Sequence, residues 1–140
     1  MQTTLYLIPT TLGDNWDYIP SDVKEVASDL NVFVVENLRS ARRHLRKLGN
    51  KMEFDNEVEF FELNKHQADF EELFNFIQKH HDKKNAIGLL SEAGNPCIAD
   101  PGSVVVELCH QLNIQVKPMV GPSSILLTLI ASGFNGQQFT

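Results

Sequence analysis

Apolar residues fall into five short runs separated by segments of helical periodicity. Thr3 to Pro9 predicts a first strand, and after a loop Val23, Val26, Ala27 and Leu30 recur at i, i+3, i+4 and i+7, the spacing of a helix with one buried face. Asn31 to Glu36 (NVFVVE) is almost wholly apolar and predicts a second strand covered on both sides. The helix after it carries Leu38, Ala41, Leu45 and Leu48 and stops at Gly49. Residues 53–62 alternate Glu53, Asp55, Glu57 and Glu59 with Phe54, Val58 and Phe60, which predicts an edge strand with its acids turned to water. Phe70, Leu73, Phe74 and Ile77 form the stripe of a third helix, and Asn85 to Ser91 a buried fourth strand. Asp100 and Pro101 read as N-cap and first residue of a fourth helix, Ile114 to Val120 as a fifth strand, and Ser123 to Ala131 as a helix that is apolar on every side. Strands alternating with helices predict the α/β class, a five-stranded and mostly parallel sheet with helices on both faces.

The last helix changes the expected organisation. Residues 101–140 hold only two charged side chains, Glu107 and Lys117, and a helix hydrophobic all round is either central to a larger structure or an interface. Residues 1–121 are therefore read as an α/β domain and 122–140 as a helix leading toward a second domain, with that domain or a second subunit expected to cover it.

Composition narrows the function. The 140 residues carry a net charge of −6, which argues against a generally cationic nucleic-acid or membrane coat while leaving room for a local basic patch. No apolar run approaches the roughly 20 residues of a membrane span. The opening MQTTLYLIPT lacks the charged start and cleavage site of a signal peptide, so a cytoplasmic location is expected. Cys97 and Cys109 have no C-x-x-C spacing and are expected to be reduced and structural. His44, His66, His80, His81 and His110 form no metal-binding spacing and are expected at the surface or at helix ends.

In open α/β sheets ligands bind outside the carboxyl ends of the strands. Four loops there are unusual: Pro9-Thr10-Thr11-Leu12-Gly13-Asp14, Glu36-Asn37-Leu38-Arg39, Ser91-Glu92-Ala93-Gly94-Asn95-Pro96 and Val120-Gly121-Pro122-Ser123-Ser124. Each alone is ordinary turn chemistry, but four converging on one edge point to a site. The first loop has one glycine where G-x-G-x-x-G has three, and neither a phosphate loop nor a nucleophile elbow occurs. Hydride transfer, phosphoryl transfer and triad hydrolysis lose support. Arg39, Arg42, Arg43 and Arg46 fall on one stripe of the second helix, either a solvated face or a phosphate-contacting ridge, and arginine's planar fork favours the second.

At these loops the sequence resembles the tetrapyrrole methylase superfamily, the class III S-adenosylmethionine (SAM) dependent methyltransferases, and within it the 16S ribosomal RNA ribose-2′-O-methyltransferase branch. The family's opening L-Y-x-V-P-T-P-I-G-N is met by Leu5-Tyr6-Leu7-Ile8-Pro9-Thr10-Thr11-Leu12-Gly13-Asp14. Its S-D-A-G-T-P-x-I-x-D-P-G loop is met by Ser91-Glu92-Ala93-Gly94-Asn95-Pro96-Cys97-Ile98-Ala99-Asp100-Pro101-Gly102, and its P-G-P-S-A by Val120-Gly121-Pro122-Ser123-Ser124. Where that branch has A-E-D-T-R after the second strand, this chain has Val35-Glu36-Asn37-Leu38-Arg39.

The resemblance implies strand order 3-2-4-1-5 and a SAM pocket in a cleft between two α/β domains, of which this chain is the first, usually within a homodimer. It implies cofactor contacts from Leu12, Asn95, Ile98, Ser123 and Ser124, with Gly94, Pro96, Gly121 and Pro122 shaping the turns. It also implies small-subunit ribosomal RNA as acceptor, which Arg39, Arg42, Arg43 and Arg46 would contact through phosphates. Glu36 is the candidate substrate contact and proton acceptor at the strand ends. Asn95→Asp is expected to be tolerated and Gly94→Val not. A tetrapyrrole-like acceptor, or a non-catalytic SAM-binding or dimerisation domain, are the alternatives.

Overall fold

The structure, a computed structural model, describes residues 2–63 and 70–140, so His66 lies outside the described residues. Ten elements alternate along the chain: β1 (Thr4–Ile8), α1 (Ser21–Asp29), β2 (Val32–Val35), α2 (Leu38–Leu48), β3 (Glu59–Glu62), α3 (Phe70–Asp82), β4 (Ile87–Leu90), α4 (Ser103–Gln111), β5 (Gln115–Pro118) and α5 (Ser124–Ser132). They build one five-stranded sheet in the order β3-β2-β4-β1-β5, as the resemblance implied, and every strand pair is parallel.

Because successive strand residues point to opposite faces, β2 feeds two separate cores. Phe33 and Val35 pack with Val23 and Ala27 of α1 and with Ala41, Leu45 and Leu48 of α2. Val32 and Val34 pack with Leu73 and Ile77 of α3 and with Val105, Leu108 and Cys109 of α4. Each fully buried Val, Leu, Ile or Phe among them contributes roughly 1.5–3 kcal/mol, so these two stripes hold the helices onto the sheet. With α1 on one face and α4 on the other, the chain leaves the neighbouring strands β1 and β4 in opposite directions, which opens a crevice at their carboxyl ends.

Several sequence expectations are corrected here. The third strand is only Glu59–Glu62, and residues 54–57 form a turn from which Phe54 is buried. Phe60 packs into one core and Phe61 into the other, so this edge strand has no water-facing side for a row of acids. Phe70 is exposed, and the buried stripe of α3 is Leu73, Ile77 and His80. His80 lies in the last turn of α3, one of the helix-end positions expected for the histidines, and there it is buried, only 2% exposed. Asp100 does not cap α4, whose N-cap is Gly102. Instead its Oδ1 accepts from the backbone N–H of Cys97 (2.9 Å) and of Gly102 (2.8 Å), holding the turn before the helix.

Both cysteines are free. Burial, with Asp100 alongside, pushes the Cys97 thiol up, and burial takes Cys109 to about 12, so neither offers a thiolate at neutral pH. Helix α5 is capped by Ser123, whose Oγ accepts from Leu126 N, but it buries none of its residues. Ile125, Leu126, Leu127 and Ile130 all stand exposed. Among the described residues no helix is long and apolar enough to cross a membrane.

Candidate functional site

The loops after β1, β4 and β5 are tied together by main-chain hydrogen bonds. Thr10 N donates to Gly94 O at 3.0 Å, and Asn95 N donates to Pro122 O at 3.1 Å. Asn95 Nδ2 donates to Gly121 O at 3.1 Å, and the Ser91 hydroxyl donates to Gly94 O. Gly94 has φ +68°, and a Cβ there would sit 2.8 Å from Pro122 O and 3.0 Å from the Leu12 side chain. A Cβ on Gly121 would overlap Pro9, at 2.1 Å from its Cβ, so both loop glycines are required by close approach of neighbouring chain.

These loops enclose a cavity of about 130 Å³ lined by Leu12, Gly94, Asn95, Ile98, Pro122, Ser123 and Ser124, among others. Of the nine positions implied as cofactor-binding, the structure therefore brings seven to one cavity. Pro96 is buried, and Gly121 contributes the carbonyl that Asn95 grips. Leu12 and Ile98 hold apolar surface half-exposed at the cavity. Cys97 and Ala99, in the same loop, have φ of 66° and 55°, a strained conformation for side chains larger than glycine.

Leu12 and Ala93 also line a second, larger cleft of about 590 Å³ on the other side of the first loop. Its remaining walls are Thr11, Gly13, Asp14, Trp16, Arg43, His44, Lys47 and Glu92. The first loop is held in shape by Tyr18, whose hydroxyl accepts from Leu12 N at 3.0 Å and donates to Thr11 Oγ1. That oxygen in turn donates to Asn15 O at 2.7 Å. Across the cleft, Asn37 Oδ1 caps α2 by accepting from Ser40 N at 3.1 Å, and the Ser40 hydroxyl lies 2.7 and 2.8 Å from the two carboxylate oxygens of Glu92. The entry to α2 and the loop after β4 are thereby joined.

The arginine stripe divides. Arg42 pairs with Asp55 at 2.7 Å and its guanidinium lies 5.7 Å from the centre of the Phe60 ring. Arg46 lies 3.8 Å over the Phe54 ring and donates to Asn50 O at 2.8 Å. Arg43 instead lines the larger cleft, and Arg39 is exposed and lines neither cavity. The four do not form one open ridge, because residues 54–60 draw in the two that face them. Glu36 also stands apart: it borders a crevice of about 10 Å³ with Asp100, Pro101 and Gly102, too small for a ligand. The α2 N-terminus is served by Asn37 and by Glu62, whose Oε2 accepts from Leu38 N at 3.1 Å.

Of the walls of the larger cleft, Trp16 carries no expectation from the sequence, whereas Glu92 belongs to the loop after β4, Lys47 to the basic cluster of α2, and His44 is expected only at the surface or a helix end. The available signal was Trp16, the chain's one tryptophan, placed in a polar loop directly after a strand.

No family model matches the chain. It is 33% identical over 140 residues to ribosomal RNA small subunit methyltransferase I of Buchnera aphidicola subsp. Acyrthosiphon pisum, covering 96% of this chain and 45% of that protein. It is 30% identical over 136 residues to the protein of that name from Vibrio cholerae, covering 97% of this chain and 44% of that one. The chain thus spans less than half the length of these relatives. Among solved structures it resembles a cobalt precorrin-4 methyltransferase (TM-score 0.64, 16% identity, 92% of this chain and 50% of that one). A uroporphyrin-III-C-methyltransferase from Thermus thermophilus is similarly alike (TM-score 0.62, 14% identity, 96% of this chain and 55% of that one).

Proposed function

The chain is a relative of the ribosomal RNA small subunit methyltransferases I and has the fold of the tetrapyrrole methylases, and from that premise we propose that it is the SAM-binding part of an enzyme that methylates small-subunit ribosomal RNA. The observation that carries this reading is the cavity around which the loops after β1, β4 and β5 are hydrogen-bonded to one another.

The donor set suits a cofactor with a flat ring and a polar tail. Leu12 and Ile98 offer apolar surface to an adenine face, while the loops bring main-chain groups and the Ser123 and Ser124 hydroxyls close by. At about 130 Å³ the cavity is smaller than the roughly 300 Å³ at which whole-ligand sites begin, so this chain grips one end of the cofactor and the rest is held by chain beyond residue 140 or by a partner. Residues 1–121 form the SAM-binding domain in this reading, with Pro122, Ser123 and Ser124 at the entry to α5 completing its pocket, and α5 begins the connection to a second domain. The enzyme works in the cytoplasm as a homodimer.

SAM supplies a methyl group already made electrophilic by its sulfonium. What remains for the protein is to hold donor and acceptor in line, exclude water and accept a proton if the acceptor is a hydroxyl. Arg39 and Arg43, exposed on α2, reach RNA phosphates, whereas Arg42 and Arg46 are engaged by the segment at Phe54. Glu36 remains the candidate proton acceptor only if the second domain brings the acceptor to that edge of the sheet.

Isothermal calorimetry with SAM tests the cofactor reading. Wild type is expected to bind, and Gly94→Val to lose binding with its circular dichroism unchanged, because the added side chain meets Pro122 O and Leu12. Asn95→Asp, tolerable on sequence grounds, is expected to weaken binding about tenfold, since a carboxylate would face the Gly121 carbonyl that the amide now donates to. Unchanged affinity in both variants removes these loops from the site. Methyl transfer from labelled SAM to small-subunit ribosomal RNA, and none to a tetrapyrrole, tests the acceptor.

A further inference from the structure

The larger cleft has the contents of a nucleotide site. It is about 590 Å³, inside the usual range for small-ligand sites, and shares Leu12 and Ala93 with the cavity assigned to the cofactor. A methyl acceptor must lie beside its donor, and a shared wall supplies that adjacency.

One side offers aromatic surface. Trp16 is half-buried against the core below and tilts against the His44 ring, with centroids 5.4 Å apart. Burial outweighs Glu92 in setting the His44 imidazole below its ordinary value, with Arg43 acting in the same direction as burial, so the ring is neutral at neutral pH. The other side offers charge. Arg43 and Lys47 stand one helical turn apart, both exposed, with Asp14 and Glu92 opposite them in the lining. The formal charges balance, so the cleft is not a funnel for bare phosphate. It suits a ligand combining an aromatic face, hydrogen-bond donors and phosphate, and the carboxylates accept from exocyclic amines or ribose hydroxyls.

We propose that this cleft seats an unpaired RNA nucleotide beside the methyl donor, its base against Trp16 and its flanking phosphates on Arg43 and Lys47. This rests on the cofactor reading above. Recognition by stacking requires a base free of its helix, so a looped or single-stranded segment binds and a duplex does not.

The test is fluorescence-anisotropy binding of a single-stranded RNA oligonucleotide and of its duplex to the purified protein over a range of salt, with SAM calorimetry on the same samples. Arg43→Gln with Lys47→Gln, both at exposed positions, should flatten the slope of log affinity against log salt by about 1.4, since each phosphate contact on a single strand contributes about 0.7. Trp16→Ala should weaken single-strand binding about tenfold or more, and Trp16→Phe should restore most of it without altering the salt slope. SAM affinity should stay within about twofold in the Arg43/Lys47 double variant. An unchanged salt slope in that variant, with SAM still bound, overturns the nucleotide site and leaves the cofactor reading standing. So does binding of the duplex as tightly as the single strand. Wild type that binds SAM but no RNA, or that binds a tetrapyrrole at this cleft instead, also overturns it. Wild type that binds no SAM removes both readings.

Discussion

Asn50 shows how much of this fold hangs on single polar side chains. It is fully buried just past α2, and its Nδ2 donates to both Ala27 O and Leu30 O at 3.0 Å while its Oδ1 accepts from Met52 N at 3.0 Å. One amide thus satisfies two carbonyls at the end of α1 and one N–H of the segment leading toward β3. Removing it leaves buried groups without partners at about 1–3 kcal/mol each, partly relieved by water. Asn50→Ala is expected to lower unfolding stability by about 2–4 kcal/mol in urea denaturation with the urea dependence unchanged. A loss below about 1 kcal/mol would mean that solvent replaces the amide. Gly94 and Asn95 belong to the same scale: a missing Cβ and a single amide let three loops meet.

At the scale of elements, legibility in the sequence followed burial. Strands β2 and β4 are covered on both faces, so their apolar runs announced them, and α2 showed its buried stripe because Ala41, Leu45 and Leu48 all face one core. Periodicity misled where a turn copied it. Phe54 and Val58 are buried from the turn and its exit, and only Glu59–Glu62 pairs with β2. The loops at the strand ends were legible through their glycines and prolines. The larger cleft was not, because Trp16 and His44 come together only through the crossing of α2 over the first loop, a tertiary fact with no local period. The arginines of α2 are the related case, since their spacing showed a shared stripe but not that Asp55, Phe54 and Phe60 engage two of them. A guanidinium over a ring contributes about 0.5–1 kcal/mol at an exposed site, and an exposed ion pair up to about 1. Arg42→Gln with Arg46→Gln is therefore expected to cost about 1–2 kcal/mol of stability while leaving the salt slope of RNA binding as in wild type. A flattened slope without a stability loss would show the two side chains serving RNA rather than the turn at Phe54.

For the whole molecule, the buried His80 and the half-buried His44 link stability to pH. His80 Nδ1 lies 3.1 Å from Asn85 Nδ2, which donates to it, so the ring proton sits on Nε2, 3.3 Å from Glu59 Oε2 but outside hydrogen-bond alignment. Protonating Nδ1 would set two donors against each other at a ring that is itself buried. Burial accordingly holds His80 below 6.5 despite the attraction of Glu59, and Lys79 and Lys83 act in the same direction as burial. His44, near Glu92 and Arg43, is lowered for the same first reason. Below pH 6.5 the unfolded chain then binds more protons at these positions than the folded one, so stability is full above that pH and falls as pH drops below about 6.5. Glu59 is itself held below its ordinary value, first by its hydrogen bond from Lys79, and adds a further loss as pH falls below about 4.5. Urea midpoints measured at pH 7.5 and 5.5 should therefore drop on acidification, and His80→Gln should reduce that drop even if it lowers both midpoints. The sheet that carries the loops is the element the histidine supports, through Ile77 and Phe76 of its own helix and through Glu59 at the edge strand. An equal drop in wild type and variant would place the pH dependence outside His80, and a rise in stability on acidification would contradict the neutral, buried imidazole altogether.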